Sequence, residues 1–457
     1  MSENKRLVFI AIAFASVIIL AAAFSISLIC FQTFEDTSDI NTSYPSDVYT
    51  TASNEATPDV EGEVSITEAD FLKASGKLVL NSKNEQVMLR GTNIGGCFVR
   101  ELWMLPIRKT SNVRDESGIY RTLKSRFGNE KMHELVKAWQ DSFFTEKDFD
   151  NIADMGANCI RIPVWYRDFV DENGDFYDDP FEKLDWFVEE AGKRGIYVII
   201  DMHGAPGSQN GSAHSGSQSD DPEKGSEFFF GDEAEKHQEL YLEIWKEIAA
   251  HYAGNPIIAG YDVLNEPFSG YRYTTSLSEN ELHIILWKLY DRAYEAIRSV
   301  DEDHIVIFEA VWGTSDLPAP KRMGWENVMY EYHNYQWSDY DNAEGKQTES
   351  LKKKIDQILK SNYNVPSYMG EFTLFSNEQA WDEGLKYLNE AGIHWTTWTY
   401  KTAYGNGNWS LYHIDSNIGE LVLDTASEKD ILAFFEKVRE SYPNKELIDV
   451  VSKHMKQ

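Results

Sequence analysis

The stretch IAGYDVLNEPF, residues 258–268, decides how the chain is read. It begins as the nearly continuous apolar run of a strand buried on both faces, then ends in an amide, a carboxylate and a proline. A buried strand tolerates neither an unpaired acid nor a missing N–H. Glu266 and Pro267 therefore mark the place where a strand over 258–266 leaves its sheet and meets water.

Seven other segments have the same character: VMLRGTNI (87–94), CIRIPV (159–164), YVIIDMH (197–203), HIVIFEA (304–310), VMYEYHNY (328–335), PSYMGEF (366–372) and HWTTWTY (394–400). Amphipathic helical stretches lie between them, with Leu240, Ile244, Ile248 and Tyr252 on one face of one and Trp381, Leu385 and Leu388 on another. Gly195 and Gly392 stand where such helices stop. Buried strands alternating with helices predict a parallel sheet, and eight such units predict an α/β fold, the closed (β/α)8 TIM barrel. The alternative is a doubly wound open sheet. It would carry a Gly-rich nucleotide turn after its first strand, and GTNIGG lacks the G-x-G-x-x-G spacing.

A short hairpin around Asn81–Asn84 precedes the first barrel strand. Long polar connections at about 102–140, 205–235, 312–325, 336–350 and 402–425 mostly follow strands, the side of a barrel on which active sites are built. Glu266 ends the fourth strand and Glu371 the seventh, which face each other across a barrel of eight. Two convergent carboxyl groups are the minimum machinery of glycoside hydrolysis: one protonates the leaving oxygen and the other attacks the anomeric carbon or activates water.

The chain has 457 residues, with 75 acids against 43 bases and a formal charge of -32. Such a surface repels phosphate backbones, which argues against nucleic acid as a partner. From Leu7 to Phe34 there is no charged residue, a run long enough to span a bilayer. Lys5 and Arg6 precede it and Glu35, Asp36 and Asp39 follow, so the positive-inside bias places the N-terminus in the cytoplasm and the bulk outside. The expected organisation is a membrane anchor over 1–34, an acidic Ser/Thr-rich tether over 35–63 and a catalytic barrel over 64–457. A cleaved signal, giving a secreted protein, is the alternative. With three cysteines, Cys30, Cys97 and Cys159, there is no disulfide framework. Asn41, Asn210 and Asn408 fit the glycosylation acceptor pattern, a match common by chance.

RIPV, DMHGAPGSQNG, LNEP, YHNY, MGEF and WTTWTYK occur in this order, each at a strand end. Together they resemble the family 5 glycoside hydrolases of the large retaining barrel clan, over about residues 77–440. The resemblance implies that Glu266 is the acid/base and Glu371 the nucleophile of a double displacement, with no cofactor and no metal. It implies that Asn265 bonds the sugar 2-OH and that Arg161 keeps the nucleophile ionised while the acid/base keeps its proton. His203, His333 and Tyr335 match the remaining polar shell, and Trp398 matches the aromatic platform under the cleaved sugar; Trp395 lies on the same strand, so one of the two should point elsewhere, core packing being the alternative for Trp398.

HGAPGSQNGSAHSG and GGCFVRELWMLP are similar to the exo-β-1,3-glucanase branch, with Glu101 matching a glutamate that contacts the terminal sugar. Cys97 stands where that branch has tryptophan, which leaves an endo-β-1,4-glucanase of cellulase type as the alternative. The expected partner is thus a β-linked glucan, met outside the cytoplasm. Two other classes compete. A metal-dependent barrel hydrolase would carry an H-x-H pair on its first strand, where GTNIGG has no histidine. A non-catalytic carbohydrate-binding protein would not need both glutamates and their surroundings.

Overall fold

The computed structural model describes residues 65–219, 226–268, 276–311, 313–403 and 410–457. Eight parallel strands close a barrel: β1 (Arg90–Asn93), β2 (Cys159–Trp165), β3 (Tyr197–Gly204), β4 (Ile258–Asp262), β5 (Ile305–Glu309), β6 (Val328–Asn334), β7 (Ser367–Phe372) and β8 (His394–Thr397). Each pairs with its neighbour in chain order, and β8 closes on β1. The expected TIM barrel is the observed one.

The floor of the barrel is apolar. Cys159, Ile199, Ala259, Ile305, Ile307, Met329 and Tyr368 meet Val79, from the hairpin of Lys73–Ser75 and Leu78–Leu80, and Leu72, which immediately precedes it. The predicted turn at Asn81–Asn84 follows, closed by a bridge between Leu80 and Gln86. Because strand side chains alternate faces, the next inward position on each strand lies one layer higher. There the character changes: Arg161 follows Cys159, Asp201 and His203 follow Ile199, Glu309 follows Ile307, and Glu331 and His333 follow Met329. Gly370 makes room for this layer, since a Cβ on it would lie 1.5 Å from Glu331 Oε1.

The outer layer forms as its periodicity predicts. The helix Ala234–Tyr252 buries Tyr241, Ile244, Trp245, Ile248 and Tyr252, and the helix Glu378–Glu390 buries Trp381, Leu385 and Leu388. Two expectations need correction. The connection at 102–140 is largely helical, as Glu116–Phe127 and Asn129–Phe143, because Asp115 caps the first helix at Gly118 N and Ile119, Tyr120 and Leu123 give it a buried face. The strand over 258–266 ends at Asp262. The Val263 carbonyl turns out of the ladder to accept Tyr241 OH (2.8 Å) and Trp245 Nε1 (2.9 Å), so Glu266 lies on a loop beyond the strand.

Among the described residues no helix is long and apolar enough to cross a membrane. The run Leu7–Phe34, the tether over 35–63, Cys30, Asn41 and Asn408 lie outside the described residues. Cys97 and Cys159 are buried free thiols. Asn210 is buried and hydrogen-bonded, which a glycosylated asparagine could not be.

Candidate active site

At the strand C-termini, Glu266 and Glu371 converge, with one oxygen of each lying within 4.8 Å of the other. Glu371 belongs to β7, and its side chain is 6% exposed. Arg161 Nη1 donates to its Oε1 at 2.9 Å and Tyr335 OH donates to its Oε2 at 2.8 Å. Both oxygens of this carboxylate are held by donors, one of them cationic.

Glu266 sits differently. Its backbone is left-handed, at φ 43°, and its side chain is 22% exposed. The loop beneath it is tied at every backbone group the structure records: Asn265 N to Met202 O, Gln209 Nε2 to Asn265 O, Asn210 Nδ2 to Glu266 O, and Glu266 N to the Glu309 carboxylate. The GSQN run after β3 thus serves as a clamp on the loop after β4. His333 Nδ1 donates to Glu266 Oε1 at 3.1 Å, and His214 Nε2 lies 3.3 Å from Oε2.

Arg161 is the hub below both acids. Fully buried, it reaches Asp201 (3.0 Å), Asp262 (2.7 Å), Glu331 (3.4 Å), Asn93 Oδ1 (3.1 Å) and Asn265 Oδ1 (2.9 Å) besides Glu371. Its guanidinium occupies the amide oxygen of Asn265, so that side chain presents its donors. His333 is a second hub. Burial disfavours charge on its ring, yet Glu309 and Glu371, with the bonds to Glu266 and Glu331, raise it well above its ordinary value. It is an imidazolium, with Nε2 donating to Glu331 Oε1 at 3.3 Å.

Burial would raise the Glu266 carboxyl, but the His333 hydrogen bond and the charges of His214 and His333 outweigh it and pull the group down to about 2. This departs from the expectation that the acid/base keeps its proton. In the free site the proton lies on His333, because Glu331 from its own strand, Glu309 from β5, Glu371 from β7 and Glu266 from the loop after β4 all face that one imidazole. Burial pushes Asp201, Asp262 and Glu309 above the usual carboxylate range, against the pull of the Arg161 guanidinium on the first two and of the His333 imidazole on the third. His203, pulled down to about 3 by burial, is a neutral imidazole that donates Nδ1–H to Asp201 at 2.7 Å.

Of the residues expected from sequence, Glu266, Glu371, Arg161, Asn265, His203, His333 and Tyr335 form one contact network. Trp398 adjoins it, its ring lying parallel to His203 at 5.5 Å, while Trp395 turns outward to Asn389. Glu101 is buried at the rim and accepts Trp103 Nε1 at 2.7 Å; burial pushes its carboxyl up to about 7. Asp201 and Glu331 escaped the sequence reading although each lies two residues before a recognised histidine on the same face. Glu309, a strand-end acid like Glu371, carried a visible signal too. His214, in the short 3₁₀ turn Ala213–Ser215, lay within the quoted HGAPGSQNGSAHSG stretch without being singled out.

Glu266, His333 and Glu371 each offer one ligand atom within a span that could hold a divalent cation. The guanidinium of Arg161, 2.9 Å from Glu371, opposes a second positive charge there.

Residues 122–403 match the family model for Cellulase (glycosyl hydrolase family 5). The chain is 28% identical over 361 residues to a β-xylosidase of Phanerodontia chrysosporium, covering 72% of this chain and 71% of that protein. It is 29% identical over 332 residues to a glucan 1,3-β-glucosidase of Candida oleophila, covering 68% and 72%. Among solved structures, an endogalactoceramidase superposes with a TM-score of 0.57 at 19% identity, over 82% of this chain and 85% of that one. That likeness supports the fold alone.

Proposed function

The chain belongs to glycosyl hydrolase family 5, and from that premise we propose that it hydrolyses β-glucans with retention of configuration, Glu371 being the nucleophile and Glu266 the acid/base. One observation carries the reading: two carboxylates with oxygens within 4.8 Å, one fixed by Arg161 and Tyr335 and the other between two imidazoles. Retaining pairs stand about 5–5.5 Å apart, whereas inverting pairs leave about 6.5–9.5 Å for a water.

In the first step Glu371 bonds to the anomeric carbon as the glycosidic C–O bond breaks. Glu266 delivers a proton to the departing oxygen. That proton reaches Glu266 from His333 Nδ1, 3.1 Å away, once substrate excludes water and raises the carboxyl. The leaving sugar departs as a neutral alcohol. In the second step Glu266 takes a proton from water, the hydroxide attacks the anomeric carbon, and the bond to Glu371 breaks. Asn265, with its oxygen engaged by Arg161, offers N–H to the sugar 2-OH, and Trp398 lines the cleaved sugar's subsite.

Exo-hydrolysis of β-1,3-glucan is the favoured activity, supported by Glu101 at the rim and by the similarity to the Candida oleophila enzyme. The similarity to a β-xylosidase favours a second reading, a β-xyloside substrate. Incubation with matched β-1,3- and β-1,4-gluco-oligosaccharides and an aryl β-xyloside separates them. Release of single glucose units fastest from the β-1,3 series supports the first reading. Internal cleavage of the β-1,4 series supports the endoglucanase, and turnover of the xyloside alone supports the second. No turnover of any leaves the non-catalytic binding protein.

The charge-free run Leu7–Phe34 is proposed to anchor the enzyme, with the barrel outside the cytoplasm. Recovery of that run in the mature membrane fraction supports the anchor, and its loss makes the protein secreted.

A further inference from the structure

Glu309 ends β5 and is 1% exposed, yet it is no part of the double displacement described above. Its Oε2 accepts the backbone N–H of Glu266, the residue at φ 43°. Its Oε1 lies 3.5 Å from His333 Nδ1, the nitrogen that donates to Glu266 Oε1. One carboxyl group therefore touches both the main chain of Glu266 and the imidazole that binds its side chain.

Glu309 itself is rigidly held. Its carbonyl accepts Tyr290 OH at 2.9 Å, and its register opposite Glu331 fixes it in the ladder. Around it stand His333 and Glu331 from β6, Glu266 from the loop after β4, Asp262 from β4, and Lys354 from the helix Lys346–Ser361. Burial pushes the Glu309 carboxyl above its ordinary range while the His333 imidazole draws it down. Its part here is that of an acceptor held at a fixed position.

A left-handed backbone at a residue with a Cβ persists only where its surroundings impose it. Here Glu309 supplies the acceptor for the Glu266 N–H, alongside the Gln209 and Asn210 amides that hold the carbonyls of Asn265 and Glu266. We propose that Glu309 is a positioning residue for Glu266: it fixes the turn that aims the acid/base carboxyl and seats the His333 imidazole beside it. The inference rests on the acid/base reading of Glu266.

The test compares Glu309→Ala, Glu309→Gln and Glu266→Ala on two β-glycosides of the same sugar, one with a poor alcohol leaving group and one with a 2,4-dinitrophenolate, which needs no proton. A displaced acid fails where protonation is needed. In Glu309→Ala, kcat/KM on the poor leaving group is expected to fall about 10- to 100-fold, the size of effect that small misplacements of a catalytic group produce. On the dinitrophenyl substrate kcat/KM, which reports the first displacement alone, loses less than about threefold. Gln, isosteric with a neutral carboxylic acid, restores most of the loss.

An equal loss on both substrates in Glu309→Ala, no loss at all, or failure of Gln to restore activity overturns the inference. Glu266→Ala is the reference. If it lacks the leaving-group split, the acid/base reading itself fails; if it shows the split and Glu309→Ala does not, only the role of Glu309 fails. Should the alanine variant not fold, Glu309→Leu, which fills the volume without an acceptor, takes its place with the same outcomes.

Discussion

The two carboxylates occupy contrasting seats. Glu371 lies within β7, its backbone set by the barrel ladder and its two oxygens held by Arg161 and Tyr335. Glu266 lies four residues beyond β4 on a loop, left-handed, more exposed, and held by groups that can themselves gain or lose protons. The difference matches the roles proposed for them. A nucleophile needs a fixed direction, and a strand with an arginine beside it supplies one. An acid/base must exchange a proton twice per cycle, which suits a loop beside an imidazolium.

If the contrast is right, breaking the two seats has different signatures. The largest effect is expected for Glu371→Gln, which removes the attacking group: kcat should fall by more than about 10⁴-fold on every substrate, whatever its leaving group, with folding intact by circular dichroism. Glu266→Ala should lose about 10²- to 10⁴-fold in kcat/KM on poor leaving groups and little in kcat/KM on dinitrophenyl glycosides, while kcat on the latter falls because the second displacement lacks its base. Identical profiles for the two variants would erase the distinction.

Arg161→Met tests the hub under both seats. It leaves Asp201, Asp262, Glu331 and Glu371 without their shared cation. Removing one partner of a buried ionic cluster costs about 3–5 kcal/mol, which urea denaturation would show as a lower midpoint.

The smallest effect is a pH dependence. The Glu266 carboxyl is pulled down to about 2, so its contribution to stability is full above the unfolded value near 4.3 and is lost as pH falls toward 2. His333 is raised, so its contribution is full below about 6.5 and is lost as pH rises through its folded value. The pair therefore stabilises most between roughly pH 4.3 and 6.5. Within that window Glu266→Gln should be less stable than the parent, by on the order of 2 kcal/mol, and the gap in melting temperature should close toward pH 2–3. A gap independent of pH would mean that the two side chains do not share a proton.

The barrel and both glutamates were legible in the sequence because they rest on local signals. Apolar runs of strand length alternate with helical periodicity, and an acid stands where a run stops. Glu371 is found at the strand end expected of it. Glu266 was found for a partly mistaken reason, since the apolar pattern continues through Val263 and Leu264 after the ladder has ended. What stops the strand is the pull of Tyr241 and Trp245 on the Val263 carbonyl, two side chains from a helix earlier in the chain. Asp262 was hidden because the register between β3 and β4 shifts, which breaks the simple alternation.

The ionisation of Glu266 was out of reach for a different reason. It depends on Glu266, Glu309, Glu331 and Glu371 meeting at one imidazole, and no pairwise spacing in the sequence encodes that sum. In the proposed mechanism the proton therefore waits on His333, and substrate draws it across to Glu266. His214 contacts the same carboxylate from a loop whose path no periodicity announces.

The most direct test of the central claim is the stereochemistry of the first product. Proton NMR during hydrolysis of a β-linked gluco-oligosaccharide resolves the anomeric signals before mutarotation mixes them. Two displacements at one carbon, by Glu371 and then by water under Glu266, predict that the β-anomer appears first and the α-anomer grows in later. An α-anomer appearing first would contradict the account, because a single displacement would then have occurred between two carboxylates too close to admit a water.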